Sequence, residues 1–114
     1  MKYKTINQNN VCILTISGDL TRDDSEILTT CSNEVKSAEA AIVVIFFKNV
    51  SVIDPLLFRD LTMLQHDLRK KGKKIYIAGL NVQLKTTLSE KGVIRGGEVF
   101  ASLNEVLITL SKLN

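Results

Sequence analysis

The residues able to support catalysis are few and widely separated. The chain has one histidine, His66, and two cysteines, Cys12 and Cys31. Nucleophilic catalysis pairs a serine or cysteine with a base, which is usually histidine. His66 falls opposite the apolar stripe of a predicted helix and is expected on the surface, whereas the cysteines lie in apolar patterns and are expected to be buried free thiols. We therefore expect no catalytic residues.

Patterns for metal or cofactor binding are missing from the sequence as well. Asp23 and Asp24 are adjacent carboxylates at a predicted helix start, where they compensate the helix dipole. The glycines Gly92, Gly96 and Gly97 match neither the dinucleotide-binding fingerprint nor the P-loop. We expect no metal ion and no cofactor.

Charge and hydropathy limit the classes of partner. The formal net charge of +3 is too small to predict nucleic-acid binding. The basic run at residues 69–74 ends a predicted helix and is expected to be a solvated edge, with docking on an acidic partner or a lipid headgroup as the alternative. The longest apolar run, residues 40–47, is far shorter than the roughly 20 residues of a membrane span. The start of the chain has no secretory pattern, so we expect a cytoplasmic protein without membrane insertion.

Strand and helix patterns alternate along the chain. Strands are predicted at residues 3–7, 11–17, 41–47 and 75–79, with a short one at 99–100. Helices are predicted to begin near Thr21, Asp54, Asn81 and Ser102, each a capping signal. The first two strands form a hairpin and the others alternate with helices. This predicts the α/β class: a mixed, mainly parallel sheet of four to five strands with about four helices, in one domain over residues 1–114.

Apolar residues at helical spacing mark one face of each predicted helix. These faces comprise Ile27, Leu28, Cys31 and Val35 in the first helix; Leu57, Leu61, Leu64 and Leu68 in the second; Leu84 and Leu88 in the third; and Leu103, Val106, Leu107, Leu110 and Leu113 in the fourth. Gly72 and Gly92 are predicted to end the second and third helices.

The start of the second helix carries the most informative pattern. Asp54 is a predicted N-cap, and Pro55 occupies a first-turn position that needs no N–H donor. Leu56, Arg59 and Met63 follow at spacings of three and four, away from the core stripe. Isolated exposed apolar residues are common on protein surfaces, but this grouping also has the composition of a protein-binding patch. The predicted partner-binding residues are Asp54, Pro55, Leu56, Phe58, Arg59 and Met63.

Three segments then carry a resemblance to a known family. They are Ile16-Ser17-Gly18-Asp19-Leu20, Val50-Ser51-Val52-Ile53-Asp54 and Gly72-Lys73-Lys74-Ile75-Tyr76-Ile77-Ala78-Gly79-Leu80. In order and spacing the chain resembles the STAS domain family, the anti-sigma-factor antagonists and their relatives in anion transporters. The resemblance extends from Tyr3 to Leu110.

The resemblance implies a regulatory site at the second helix. Antagonists of this family have Asp-Ser-Ser-Gly there, and a partner serine kinase, itself the anti-sigma factor, phosphorylates the first serine. This chain has Asp54-Pro55-Leu56-Leu57 instead, so a proline without a hydroxyl replaces the acceptor. The family's Gly-Glu-Leu-Asp segment is similar to Gly18-Asp19-Leu20-Thr21, which lacks the second acid.

Two functions follow from the resemblance. The first is a non-catalytic regulatory module that binds an anti-sigma factor or serine-kinase-like partner and is not phosphorylated at the usual position. The alternative is a cytoplasmic STAS domain or subunit of an anion (sulfate-type) or lipid transport system. Nucleotide binding remains a third interpretation, because the helix starts at Asp54 and Asn81 offer free N–H groups to phosphate.

Overall fold

A β-hairpin opens the sheet. The computed structural model describes residues 1–112. Strands β1 (Lys2–Gln8) and β2 (Val11–Ser17) are antiparallel and joined by Asn9 and Asn10. Both asparagines have positive φ, 53° and 66°, which is the left-handed geometry that two-residue hairpin turns require and that asparagine tolerates. The predicted hairpin therefore closes in a two-residue turn.

The rest of the chain alternates helices with parallel strands. The elements are α1 (Ser25–Ser37), β3 (Ile42–Lys48), α2 (Phe58–Lys70), β4 (Lys74–Ala78), α3 (Val82–Glu90), β5 (Val99–Phe100) and α4 (Leu103–Lys112). The strand order is β1-β2-β3-β4-β5, with β1 antiparallel to β2 and the remaining neighbours parallel. The predicted α/β fold, with a mixed, mainly parallel sheet and four helices, is confirmed.

The two faces of the sheet bury separate apolar cores. The larger core lies between the sheet and helices α1, α2 and α3, and the smaller core lies under α4. In β3, Val43 and Ile45 face the larger core and Val44 faces the smaller one, all three at most 2% exposed. The continuous apolar run of this strand is thus explained by cover on both faces.

The α2 stripe is buried as predicted. Leu57, Leu61, Leu64 and Leu68 are at most 3% exposed. Gly72 ends this helix region with φ +78°, the left-handed geometry of a helix C-terminus. His66 is exposed on the opposite side of α2.

Two predicted helix-face residues are exposed instead. Ile27 is 38% exposed and Leu107 is 42% exposed. Each lies at the margin of its stripe, about 70° around the helix from the centre of the buried residues, since successive residues are about 100° apart. Leu113 lies outside the described residues.

The basic run at the end of α2 is more structural than predicted. Arg69 pairs with Glu98, next to β5. Lys71 Nζ donates to a carbonyl at the end of α1 (2.9 Å), and Lys73 Nζ donates to the carbonyl of Ala40 (2.7 Å). These side chains tie α2 and the turn after it to neighbouring elements, so the run is not simply a solvated edge.

Candidate functional site at the carboxyl edge of the sheet

The starts of three helices meet at one edge of the sheet. Because β2, β3 and β4 are parallel, their carboxyl ends lie side by side. The loops that follow, residues 18–21, 49–54 and 79–81, lead toward α1, α2 and α3. In open α/β sheets ligands bind outside the carboxyl ends of the strands, at a point where the strand order reverses. The order β1-β2-β3-β4-β5 has no such reversal, so this edge is a candidate site because three helix starts and their loops meet there.

Main-chain and side-chain hydrogen bonds join the first two loops. Asp19 Oδ1 accepts from the N–H groups of Ser51 (2.8 Å) and Val52 (3.0 Å). Leu20 donates its N–H to the carbonyl of Val52 (2.9 Å), and Asp54 donates its N–H to the carbonyl of Leu20 (2.8 Å). The loop entering α2 is therefore fixed against the loop entering α1.

The third loop closes tightly on β3. Gly79 has φ +85°, and a Cβ there would overlap the carbonyl of Phe47 and lie 2.8 Å from the ring of Phe46. Only glycine fits this approach. Two residues later Asn81 Oδ1 accepts from the N–H of Leu84 (2.8 Å), which confirms the predicted cap of α3.

The predicted cap at Asp54 is also present. Asp54 has extended geometry, and its Oδ1 accepts from the N–H of Leu56 at 2.9 Å. Pro55 begins a 3₁₀ turn, Pro55–Leu57, and the α-helix starts only at Phe58. The helix start is thus one turn later than the sequence predicts.

The predicted partner-binding residues differ in accessibility. Leu56 is 63% exposed, Met63 is 45% exposed and Arg59 is exposed. We call these three residues the α2 surface. Phe58 is half-buried and packs against the larger core, so it supports the α2 surface and offers a partner little of its ring. Pro55 is exposed.

Sequence reasoning missed two neighbours of this surface. Val52, in the loop before Asp54, is 55% exposed, and no sequence pattern marked it as a surface residue. A shallow groove between α1 and α2 is lined by Thr29, Asp60 and Met63. Met63 thus lies at the contact of two helices, which no single helical pattern could show.

The start of α1 holds a buried carboxylate with a structural role. Asp24 is 9% exposed, and its Oδ2 accepts from the N–H of Thr21 at 2.7 Å. That hydrogen bond from Thr21 holds the pKa of Asp24 below its ordinary value. The Asp24 carboxylate is therefore engaged by the main chain at the helix start, whereas Asp23, the other member of the predicted pair, is exposed.

The chemical groups at this edge are occupied by structural contacts. Asp19 and Asp54 both accept main-chain N–H groups. Burial raises the pKa of the Cys31 thiol to about 11, so that cysteine is a poor nucleophile. Across residues 1–112 no three His, Cys, Asp or Glu side chains cluster as metal ligands would. The exposed apolar side chains in this region include those of Val52, Leu56 and Met63, beside the exposed Arg59.

The sequence of this chain matches the model of a known domain family. The family model of the STAS domain matches residues 2–106. The comparison with curated proteins gives no match. The helices among residues 1–112 are all too short or too polar to span a bilayer.

Solved structures share the fold at low sequence identity. The anti-sigma factor antagonist SpoIIAA of Bacillus, in its unphosphorylated form, has a TM-score of 0.77 at 10% identity, over 99% of this chain and 98% of that one. A single-substitution variant of RsbS from Moorella thermoacetica has a TM-score of 0.80 at 18% identity, over 99% and 97%. A sulfate transporter family protein from Wolinella succinogenes has 0.79 at 20%, over 95% and 90%.

Proposed function

The chain belongs to the STAS domain family, and from that premise we propose that it is a non-catalytic regulatory module that binds a protein partner through the α2 surface. One observation carries the proposal. Leu56 and Met63 are 63% and 45% exposed on a helix whose opposite stripe is buried. Methionine and arginine are enriched in protein interfaces relative to the rest of the surface, and exposed Leu56 extends this patch.

The rigidity of the surrounding loops supports this role. Asp19 and Asp54 fix the main chain on either side of Val52. A preformed surface loses little conformational entropy when a partner binds. The loops at the carboxyl edge therefore hold the start of α2 ready for docking.

We further propose that phosphorylation does not switch this site at the usual position. Pro55 follows Asp54 where antagonists of the family have the acceptor serine, and proline has no hydroxyl. The partner is then an anti-sigma factor or serine-kinase-like protein that recognises the unmodified helix start.

Affinity capture tests the α2 surface directly. The tagged full chain is used as bait in extract of the source organism, beside a Leu56→Asp/Met63→Asp double variant. Leu107→Asp/Ile108→Asp is the matched control, because these residues are 42% and 47% exposed on α4, which packs on the other face of the sheet. The proposal expects a partner that wild type and the control retain and the double variant loses. Equal recovery by all three would overturn it, provided that thermal melts show all three folded.

The transport alternative has its own support. The TM-score to the Wolinella sulfate transporter family protein, 0.79, nearly equals the 0.80 to RsbS. Under this alternative the chain is a cytoplasmic domain or subunit of an anion or lipid transport system. The captured partner decides: an integral membrane transporter or its ATPase supports transport, and a soluble kinase-like protein supports regulation.

A further inference from the structure

The two faces of the sheet are covered unequally. Helices α1, α2 and α3 pack on one face, and α4 alone packs on the other. Five strands about 4.8 Å apart span about 19 Å, while a helix with its side chains is about 10 Å wide. One helix therefore covers about half of a face. α4 lies chiefly over β4 and β5, so within residues 1–112 no helix covers β1 or the side of β2 next to it.

Exposure along one cross-strand row shows where the cover ends. Ile6, Ile13 and Val44 are aligned in neighbouring strands and point to the α4 face. Val44 is fully buried, Ile13 is half-buried and Ile6 is 46% exposed. Val11, on the same face of β2, is also half-buried. We call Ile6, Val11 and Ile13 the open face.

Exposed lysines without an ion-pair partner lie at one end of the open face. Lys2 and Lys4 lie on the same side of β1 as Ile6, and Lys48 is in the row of Lys2 through Ser17. Strands β1, β2 and β3 contain no Asp or Glu. Within residues 1–112 these three lysines, all exposed, form no ion pair with a carboxylate. The end of the open face toward Lys2 and Lys4 is thus positively charged, while Glu39 lines a cavity with Val11 at the other end.

We propose that the open face binds one amphipathic helix of a partner protein, with its apolar stripe over Ile6, Val11 and Ile13 and acidic residues toward Lys2 and Lys4. The uncovered width is that of one helix, and acidic side chains would neutralise the lysines. This site lies on the opposite face of the sheet from α2, so it does not depend on the α2 surface.

Two other occupants fit less well. A second copy docked by two-fold symmetry would bring the same lysine-flanked face against itself, which like charges oppose. A bilayer surface would meet α4 first, because a helix packed on a sheet projects about 10 Å above it. The outer side of α4 carries Glu105 and Lys112, whose charges cancel, so this helix has no net positive charge to attract anionic lipid.

A peptide selection on the intact chain tests the proposal. The probe is a displayed library of peptides of about 18 residues, a length that allows helix formation, with leucines at i, i+3, i+4 and i+7 and all other positions random. The proposal expects enrichment of Asp and Glu beside the leucines. The best peptide should bind the Lys2→Glu/Lys4→Glu variant about tenfold more weakly.

Matched variants complete the design. Lys85→Glu/Lys91→Glu has the same net charge change on exposed lysines of another element and should keep binding within about twofold. Ile6→Asp should abolish binding, while Leu56→Asp/Met63→Asp should leave it intact, which separates this site from the α2 surface. Selected peptides without acidic enrichment, or equal loss in both lysine variants, would overturn the proposal. Phosphatidylglycerol vesicles or self-association that compete with the peptide and depend on Ile6 would overturn it as well.

Discussion

At the scale of single residues, the site depends on carboxylates that hold the main chain. The role of Asp54 could be predicted, because an N-cap followed by proline is a local pattern. The role of Asp19 could not, because its partners Ser51 and Val52 are 32 and 33 residues away. The spacing of residues in the sequence cannot predict such contacts until the strand order is known.

Asp54→Ala tests the cap at the start of α2. The variant loses the acceptor for the Leu56 N–H, so we expect the free energy of unfolding to fall by about 1 kcal/mol. Urea denaturation measures this change. Asp54→Asn keeps an acceptor oxygen and should lose less than half as much. Equal losses in the two variants would show that the hydrogen bond is not what stabilises this turn.

Asp24 predicts a dependence of stability on pH. Its pKa is below the ordinary 3.8 in the folded chain, chiefly because it accepts the N–H of Thr21. The stabilisation is therefore fully present above pH 3.8 and is lost as the pH falls through the lower folded value. In urea titrations at decreasing pH, Asp24→Asn should lose less stability below that point than wild type. Parallel curves for the two proteins would contradict this assignment.

At the scale of elements, the hydrophobic period predicted where helices and strands occur. It did not predict whether residues at the margin of a helix face are buried. Leu28, Cys31 and Val35 of α1 are fully buried, whereas Ile27 is 38% exposed. The hydrophobic period locates the centre of the buried stripe on a helix. The width of that stripe depends on which neighbouring elements contact the residues at its margin. Val52 illustrates the same limit in a loop, where no period exists.

Gly79→Ala tests the close packing of the loop between β4 and α3. An alanine at this position must adopt left-handed backbone geometry, and its Cβ would overlap the backbone of β3. We therefore expect the free energy of unfolding to fall by about 3 kcal/mol. Gly72→Ala is the control: its φ of +78° is also left-handed, but no atom lies within 4 Å of the added Cβ. That control should lose about 1 kcal/mol. If urea denaturation gave similar losses of unfolding free energy for the two variants, the close contact with Phe47 would not contribute to the cost at Gly79.

At the scale of the whole molecule, alternation of strands and helices predicted the fold class, since right-handed crossovers leave few topologies. The distribution of helices between the two faces was not predictable in the same way. It depends on the path of each crossover, and the exposure of Ile6 becomes visible only when α4 is seen to cover one half of its face. The open face could therefore be found only from the way α4 packs on the sheet. The α2 surface was already indicated by the spacing of residues in the sequence.

The most direct test of the α2 surface as a partner-binding site is an amide NMR titration. The isotope-labelled full chain is titrated with the partner recovered by affinity capture, and shifts of backbone N–H signals are mapped on the structure. We predict that the largest shifts fall on residues 52–67, including Leu56, Arg59 and Met63, and on the facing side of α1. Shifts confined to β1, β2 or α4, with α2 unchanged, would contradict the account.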